Sequence, residues 1–312
     1  MPRVFQVDDS LEGVRLTKAL SLRIQGLSIR KAKELVDRGR VFLDEKRVLK
    51  GSRRLEAGMT VEVHLDEPES ARRVVLRPES LLWESADLVV VNKPAGIPVF
   101  GSHGVTEGTL VPLIEEILVR SASRHRGDRL VLVHRLDRDT TGALVLAKNQ
   151  KAAQIMVEQF RRRIVKKRYL VLASGTLSHK DRFECTVPVG SIRDQTCPDH
   201  EKRRAKTART TFRILERFDR CALLEAIPET GRTHQIRVHL AAMGAPVLGD
   251  IEYGPRHVRD PLFRAVPRQM LHAWRIGFEE PGTGSWVEVE APLPEDMEGV
   301  LRVLRGQKAA EN

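Results

Sequence analysis

Short apolar segments of strand length recur through most of this chain, and they constrain its fold more than any other feature. Between Leu81 and about Leu304 they include LVVVNKPAG (88–96), GALVLAKN (142–149) and KRYLVLASG (167–175), each closed by glycine or polar residues. A short apolar run between turn signals is typical of a buried strand. We therefore expect a sheet to dominate this region, with RLVLVHRLD (129–137) as a further strand.

Two segments with helical spacing interrupt the strands. In QKAAQIMVEQFRRR (150–163) apolar side chains recur every three or four residues, and RTHQIRVHLAAMG (232–244) can begin a helix that ends at Gly244. The segments 207–218 and 220–231 are expected to pair as antiparallel strands. Strand-rich order with inserted helices predicts an α+β domain with a mixed or antiparallel sheet.

The N-terminal residues form a separate small unit with a strongly basic polar side. Ser28 is a suitable N-cap for a helix with Ile29, Ala32, Leu35 and Val36 on its apolar face, and Gly39 can end that helix in the left-handed conformation. Its basic residues include Arg30, Lys31, Lys33, Arg38 and Arg40. They form either a solvated surface or a surface for a polyanion. We predict a module over 1–66, a charged linker over 67–80 and a larger domain over 81–306.

Composition narrows the possible partners. The 312 residues carry 53 Lys and Arg against 42 Asp and Glu, a net charge of +11, which favours nucleic acid or an acidic surface. No apolar run reaches the ~20 residues that span a bilayer, and no signal peptide is evident at the start, so we expect a cytoplasmic protein without membrane contact. The three cysteines are widely spaced and suggest neither disulfides nor a zinc site.

Two polar clusters stand against apolar framework, HRLDRD (134–139) and GRTHQIRVHL (231–240). A carboxylate at a strand end is costly to desolvate unless a cation accompanies it, and Asp137 is such a carboxylate. Either cluster alone could be a structural ion pair, but two together favour a functional site.

Three chemistries could use these residues. A metal site from His134, Asp137, His234 and His239 is opposed by four neighbouring arginines. A serine hydrolase lacks its GxSxG elbow, and a nucleotide hydrolase lacks a GxxxxGK[ST] loop. A carboxylate that acts on an anionic ligand, with arginines that bind phosphates, fits both clusters.

At these residues the chain resembles a known family. LVVVNKPAGIPVF, LVHRLDRDTTGALVLAKN, KKRYLVLASG, GRTHQIRVHLAAMGAPVLGDIEYG and LHAWRIGFEEP occur in the order found in RluA-type RNA pseudouridine synthases. The resemblance spans the larger domain, and the combination of HRLDxxTxG with GRxHQIRxH is highly specific. The N-terminal unit is similar to the αL RNA-binding module named after small-subunit ribosomal protein S-four, which often precedes this domain in the family.

The resemblance implies roles for individual residues. Asp137 would be the catalytic carboxylate, Arg237 its cationic partner, and Tyr169 the residue that faces the target base and assists proton removal. Arg135 matches a position that contacts rearranged RNA. With Arg135, we expect Arg232, His234 and Gln235 to bind RNA, together with the basic residues of the N-terminal module. The reaction is an isomerisation without redox change, so neither cofactor nor metal is expected.

The expected substrate is a structured RNA, and the extra RNA-binding module favours large-subunit ribosomal RNA over transfer RNA. We expect a monomer. The rival interpretation is a non-catalytic RNA-binding or ribosome-assembly factor with the same fold. Asp137, Tyr169 and Arg237 are all intact, which argues against it. Whether the aspartate attacks the sugar carbon or removes a sugar proton stays open.

Overall fold

The chain divides into two compact units. The computed structural model describes residues 2–65, 76–100, 108–121, 129–175, 177, 181–190 and 205–311. The first unit combines Met1–Pro68 with Leu248–Gln269, and the second combines Glu69–Val247 with Met270–Asn312. Segment 248–269, which we predicted within the larger domain, therefore groups with the N-terminal residues. Residues 67–75 of the predicted linker lie outside the described residues, and Pro78–Ser80 form a 3₁₀ turn.

The first unit is a small antiparallel sheet with two helices. Its strands lie in the order β1-β4-β2-β3. Their bounds are β1 (Arg3–Gln6), β2 (Val41–Leu43), β3 (Lys46–Arg47) and β4 (Thr60–Val63), and the helices are α1 (Leu16–Arg23) and α2 (Ile29–Asp37). Apolar side chains from both helices and from the sheet form one core.

Helix α2 begins and ends as its sequence predicts. The Ser28 side chain accepts a hydrogen bond from the Lys31 backbone N–H at 3.2 Å. Gly39 follows the helix with φ +66°, a conformation that costs glycine little. A Cβ there would also lie 2.7 Å from the Ile251 side chain, so this turn leaves no room for a larger residue. The predicted apolar face of α2 is wrong for one residue, since Ile29 is 50% exposed and does not pack in the core.

The basic residues of the first unit have different environments. Arg30 and Lys33 are exposed, whereas Lys31 and Arg38 are partly buried. Arg40 is only 3% exposed, and its guanidinium donates to the carbonyls of Ala265 at 3.1 Å and Val266 at 3.3 Å. The prediction that Arg40 contacts RNA is therefore corrected, because its charged group ties segment 248–269 to the interior of this unit.

The second unit is built on one large mixed sheet. In the described residues the strand order is β10-β11-β12-β9-β13-β8-β6-β5, with β14 beside β13 and β7 beside β8. The strands are β5 (Leu81–Glu84), β6 (Leu88–Lys93), β7 (Val131–Leu132), β8 (Thr141–Ala147), β9 (Lys166–Ser174), β10 (Arg182–Cys185), β11 (Thr210–Arg217), β12 (Cys221–Pro228), β13 (Leu271–Glu279) and β14 (Trp286–Glu290). The expected antiparallel pair β11–β12 is confirmed, and β7 is shorter than predicted.

A parallel contact between β13 and β8 joins the two halves of the sheet. It lies at Gly142, the glycine of the HRLDxxTxG pattern, where φ is +110°. A Cβ at Gly142 would lie 2.2 Å from the Ala273 carbonyl oxygen. Only glycine therefore lets the strand that follows Asp137 approach β13 this closely.

Four helices of the described residues belong to this unit, and one further helix belongs to the first unit. They are α3 (Leu110–Arg120), α4 (Gln150–Arg161), α5 (Gln235–Ala242), α6 (Pro261–Ala265), which belongs to the first unit, and α7 (Glu295–Glu311). The side chains of Ala152, Ala153 and Met156 place α4 in one core, and Ile236 and Leu240 place α5 in another. No helix in the described part of the chain combines the length and apolar character needed to cross a bilayer.

Candidate active site

The loop between β7 and β8 carries Asp137, and a buried lysine fixes its backbone. Lys93, at the end of β6, is fully buried. Its ammonium donates to the carbonyls of Pro94 at 2.8 Å, Arg138 at 2.7 Å and Thr140 at 3.0 Å. Because the last two carbonyls flank the turn after Asp137, Lys93 holds in place the loop that positions the carboxylate.

Helix α5 brings the second polar cluster to the same place. Its N-cap is His234, which has left-handed backbone angles of φ 56° and ψ 19°. A left-handed residue other than glycine is uncommon and often marks a functional site. Ile236 and Leu240 anchor the helix in the core, which leaves Arg237 buried at 4% exposure in the first helical turn.

The two clusters meet at Asp137. Arg237 Nη1 donates to Asp137 Oδ2 at 3.1 Å. His234 Nε2 lies 3.7 Å from Asp137 Oδ1. A charge-assisted hydrogen bond and the positive end of a helix both stabilise an ionised carboxylate. The predicted pairing of Asp137 with Arg237 is thus present in the structure, and the carboxylate keeps partial access to solvent.

Tyr169 lies in β9 and lines the same cavity as Asp137. Burial raises the pKa of the Tyr169 hydroxyl, and the negative charge of Asp137 raises it further. The side chain is therefore a neutral phenol at neutral pH. It can donate or relay a proton, but it does not supply a standing phenolate.

His134 is a packed framework residue. Its Nε2 accepts a hydrogen bond from the Val145 backbone N–H at 2.9 Å, and its ring lies 4.8 Å from the Phe160 ring. Burial, with a contribution from the Lys167 charge, lowers the pKa of His134 to about 3. His239 Nε2 lies 2.9 Å from the Val187 carbonyl. Both imidazoles thus engage backbone groups, and the described residues contain no cluster of His, Cys, Asp or Glu able to hold a metal.

The three remaining residues of this region that we predicted to bind RNA differ in their exposure to solvent. Arg135 and Arg232 are exposed and line the cavity. Gln235 lines it too but is only 4% exposed. Its carbonyl accepts from the Thr230 hydroxyl and the Arg232 N–H, and its amide donates to the Arg209 carbonyl and the Thr210 hydroxyl. The prediction that Gln235 binds RNA is therefore corrected, since its hydrogen-bonding groups brace the turn before α5.

The cavity has a volume of about 570 Å³. Most of its lining belongs to the loop before β8, the end of α4, β9 and the segment from β12 into α5. Several lining residues were not candidates from the sequence, among them Phe160 and Lys167. Lys167 could have been found, because residues i and i+2 of a strand face the same side and Tyr169 was already a candidate.

Comparisons with known proteins point to one family. Residues 87–242 match the model of the RNA pseudouridylate synthase family. An uncharacterized RNA pseudouridine synthase of Bacillus subtilis is 37% identical, over 93% of this chain and 94% of its own. Ribosomal large subunit pseudouridine synthase D of Nitrosomonas europaea is 35% identical, over 96% and 87%. Ribosomal large subunit pseudouridine synthase C of Pasteurella multocida is 32% identical, over 99% and 95%.

A solved structure shares the fold of most of this chain. The human protein described as RNA pseudouridylate synthase domain containing 4 superposes with a TM-score of 0.61 at 26% identity. The match covers 73% of this chain and 93% of the human one.

Proposed function

The chain belongs to the RNA pseudouridylate synthase family, and from that premise we propose that it converts uridines of large-subunit ribosomal RNA to pseudouridine in the cavity around Asp137. The family assignment makes it an isomerase that acts on RNA. The choice of RNA is supported by relatives named as large-subunit synthases, at 35% and 32% identity over nearly the whole chain.

One observation carries the assignment of the site: the Asp137 carboxylate is paired at 3.1 Å with the buried Arg237 guanidinium inside a cavity of about 570 Å³. A carboxylate that must react has to be held in a fixed orientation, and a rigid cationic partner that donates a hydrogen bond achieves this. Arg237 is fixed by the core contacts of α5, so the pair is organised before the substrate enters.

The reaction requires the uracil to leave the sugar through N1 and to return through C5. The N1–C1′ bond breaks, a C5–C1′ bond forms, the proton at C5 leaves and N1 gains a proton, so that atoms and electrons balance without a redox partner. Asp137 acts at the sugar while the base is detached. The neutral phenol of Tyr169 faces the base and relays the proton released from C5.

The target base has to leave its stack before it can enter the cavity, at a cost of a few kcal/mol. Arg135 and Arg232, both exposed on the cavity wall, bind the displaced strand. In the first unit, Arg30 and Lys33 on the exposed side of α2 bind phosphates further along the same RNA, with Lys31 and Arg38 beside them. Lys33 pairs with Asp37 at 2.9 Å and Arg38 with Glu34 at 2.8 Å, so these two cations exchange an internal partner for RNA.

The test is direct. The purified protein is incubated with transcribed fragments of large-subunit ribosomal RNA, with a transfer RNA pool as the comparison, and the digested nucleosides are analysed for pseudouridine. Conversion of a ribosomal fragment by the protein, and not by Asp137→Asn, supports the proposal. Conversion of transfer RNA alone contradicts the proposed substrate. Retained conversion by Asp137→Asn contradicts the proposed site.

A further inference from the structure

Lys167 is a cation of the cavity wall to which the reaction outlined above gives no task. It lies in β9 two residues before Tyr169, and both side chains line the cavity. Arg168, between them, points the other way and lies 3.4 Å from the buried Glu225 carboxylate. Strand alternation thus places Lys167 and Tyr169 side by side on the cavity face, roughly 7 Å apart along the strand.

The Lys167 ammonium has an unusual environment for a lysine. Within the described ranges, no hydrogen bond or carboxylate partner engages it. Its neighbours are the Phe160 ring, with the centroid 6.0 Å from Nζ, and the Gly231 backbone, where an added Cβ would lie 3.8 Å from Nζ. Burial lowers the pKa of this ammonium to about 8. A partly buried cation without an anion is destabilising, so a ligand that supplies the anion would bind there favourably.

Charges near Lys167 indicate the chemistry of that ligand. Ionisable side chains from four segments line the cavity with it. They are His134, Arg135 and Asp137 from the loop before β8, Arg161 and Arg163 from the end of α4, Tyr169 from β9, and Glu229, Arg232, His234 and Arg237 from the segment between β12 and the first turn of α5. Asp137 is paired with Arg237, and Glu229 lies 4.0 Å from both Arg163 and Arg209. Neither carboxylate serves Lys167, and the substrate of this family is a polyanion.

We propose that Lys167 binds the backbone phosphate next to the target uridine, while that uridine's base lies against Tyr169. An ammonium binds phosphate as a point charge, and the spacing to Tyr169 is short enough for one nucleotide to contact both residues. The proposal rests on the cavity around Asp137 being the reaction site. Lys167 is then a positioning residue: it fixes the nucleotide so that its sugar faces Asp137.

The consequence for binding depends on pH. In the free protein, the ammonium loses its proton as the pH rises through about 8. Bound phosphate favours the charged form, so binding takes up a proton above that pH. RNA affinity should therefore fall as pH rises from about 8, by up to tenfold per pH unit for one linked proton.

The experiment measures binding of an oligouridylate of about 12 residues, long enough to fill a typical single-strand site, to the Asp137→Asn protein, so that no turnover interferes. Lys167→Met should weaken binding at pH 7 by roughly tenfold or more. It should lower the slope of log affinity against log salt by about 0.7, as expected for one single-strand phosphate. It should also abolish the decline above pH 8.

Lys166→Met is the matched control. Lys166 is the adjacent residue of β9, carries the same charge, is exposed, and does not line the cavity. This variant should keep the pH-dependent decline and lose little affinity. Lys167→Arg should keep affinity yet lose the decline, because a guanidinium stays charged throughout. Circular dichroism checks folding, and the arginine variant decides the matter if the methionine variant does not fold.

A neutral-backbone probe identifies the phosphate. The methylphosphonate analogue of the same oligouridylate should bind equally to the Lys167→Met protein and its parent. Equal losses of affinity for Lys167→Met and Lys166→Met, or an undiminished pH decline without Lys167, would overturn the inference. Failure of the proposed function would look different, as absence of pseudouridine from ribosomal RNA treated with the unmutated chain.

Discussion

Replacement of Lys93 by methionine should reduce both stability and turnover. The side chain is fully buried, and its ammonium donates to three carbonyls at 2.7–3.0 Å, two of them in the turn after Asp137. Methionine has a similar length, so it fills the space but donates nothing. The three carbonyls then lose the donor that held the loop, in an interior where no water replaces it.

The magnitude follows from two opposing terms. Hydrogen bonds to a charged group contribute about 1.5–3 kcal/mol each, so three of them give roughly 5–9 kcal/mol. Burying the ammonium costs several kcal/mol, which methionine recovers. The loss is also smaller because the Arg138 carbonyl still accepts a hydrogen bond from the Gly96 N–H. The free energy of unfolding should therefore fall by about 2–4 kcal/mol.

The assay separates stability from positioning. Denaturant unfolding gives the free energy of unfolding. Single-turnover kinetics give the rate of the chemical step, measured on an RNA fragment that the unmutated protein converts and at a temperature where the variant is folded. We expect turnover to drop at least tenfold per folded molecule, because displacement of a catalytic group by about 1 Å can cost about a hundredfold.

Lys148→Met is the control for loss of a shielded ammonium. Lys148 follows the opposite end of β8, is partly buried, and bonds to Glu84 and to the Ser85 carbonyl. It should destabilise the protein without changing the chemical step. If Lys93→Met turned over RNA at the normal rate per folded molecule, the conclusion that Lys93 positions the Asp137 loop would be wrong.

Four further outcomes test other parts of the structure. Asp137→Asn should abolish pseudouridine formation while the protein still folds and binds RNA, since it removes the charge and keeps the volume; its thermal midpoint should fall, because the buried Arg237 loses its anion. Tyr169→Phe should slow the chemical step but retain binding of the base, because only the hydroxyl is lost. An unchanged single-turnover rate would show that Tyr169 only packs against the base and relays no proton. The free energy of unfolding should fall as the pH drops from about 6.5 to about 3, because His134 takes up a proton in the unfolded chain but not in the folded one, where its pKa is about 3. The loss is at most about 1.4 kcal/mol per pH unit, and unfolding titrations of His134→Gln should show a flatter pH profile. Removal of residues 2–65 should lower the salt slope of RNA binding by roughly 0.7–0.9 per lost phosphate contact, and should make segment 248–269 sensitive to limited proteolysis, since that segment packs with the removed residues.

Local features of the sequence predicted local features of the structure well. The Ser28 cap and the Gly39 turn of α2 follow from side-chain hydrogen bonding and backbone freedom within a few residues, so the sequence contains all that is needed. The β11–β12 pair and the helix that begins after His234 were predicted for the same reason. Strand β7 was predicted too long, because an apolar run indicates that residues pack in the core but not that each of them pairs with a neighbouring strand.

Burial of polar side chains was where prediction failed. Arg40 and Gln235 look like surface residues in sequence, yet both are buried. Arg40 reaches carbonyls 225 and 226 residues away, and the Gln235 amide reaches the carbonyl of Arg209, just before β11, and the hydroxyl of Thr210, its first residue. Such partners are brought close by the fold alone, so no periodicity within one element can reveal them.

Sequence alone predicted strands β6, β8 and β9, helices α2, α4 and α5, and two polar clusters, around Asp137 and Arg237, beside apolar segments. Tertiary structure decided that those residues, 100 positions apart, meet at 3.1 Å, that Gly142 admits the backbone of β13, and that Lys167 lies in the cavity without a carboxylate partner among the described residues. The two kinds of information act over different distances along the chain. Dihedral preferences and hydrophobic periodicity act over a few residues, whereas the distance, burial and charge that make a site depend on segments that approach each other only when the sheet has formed.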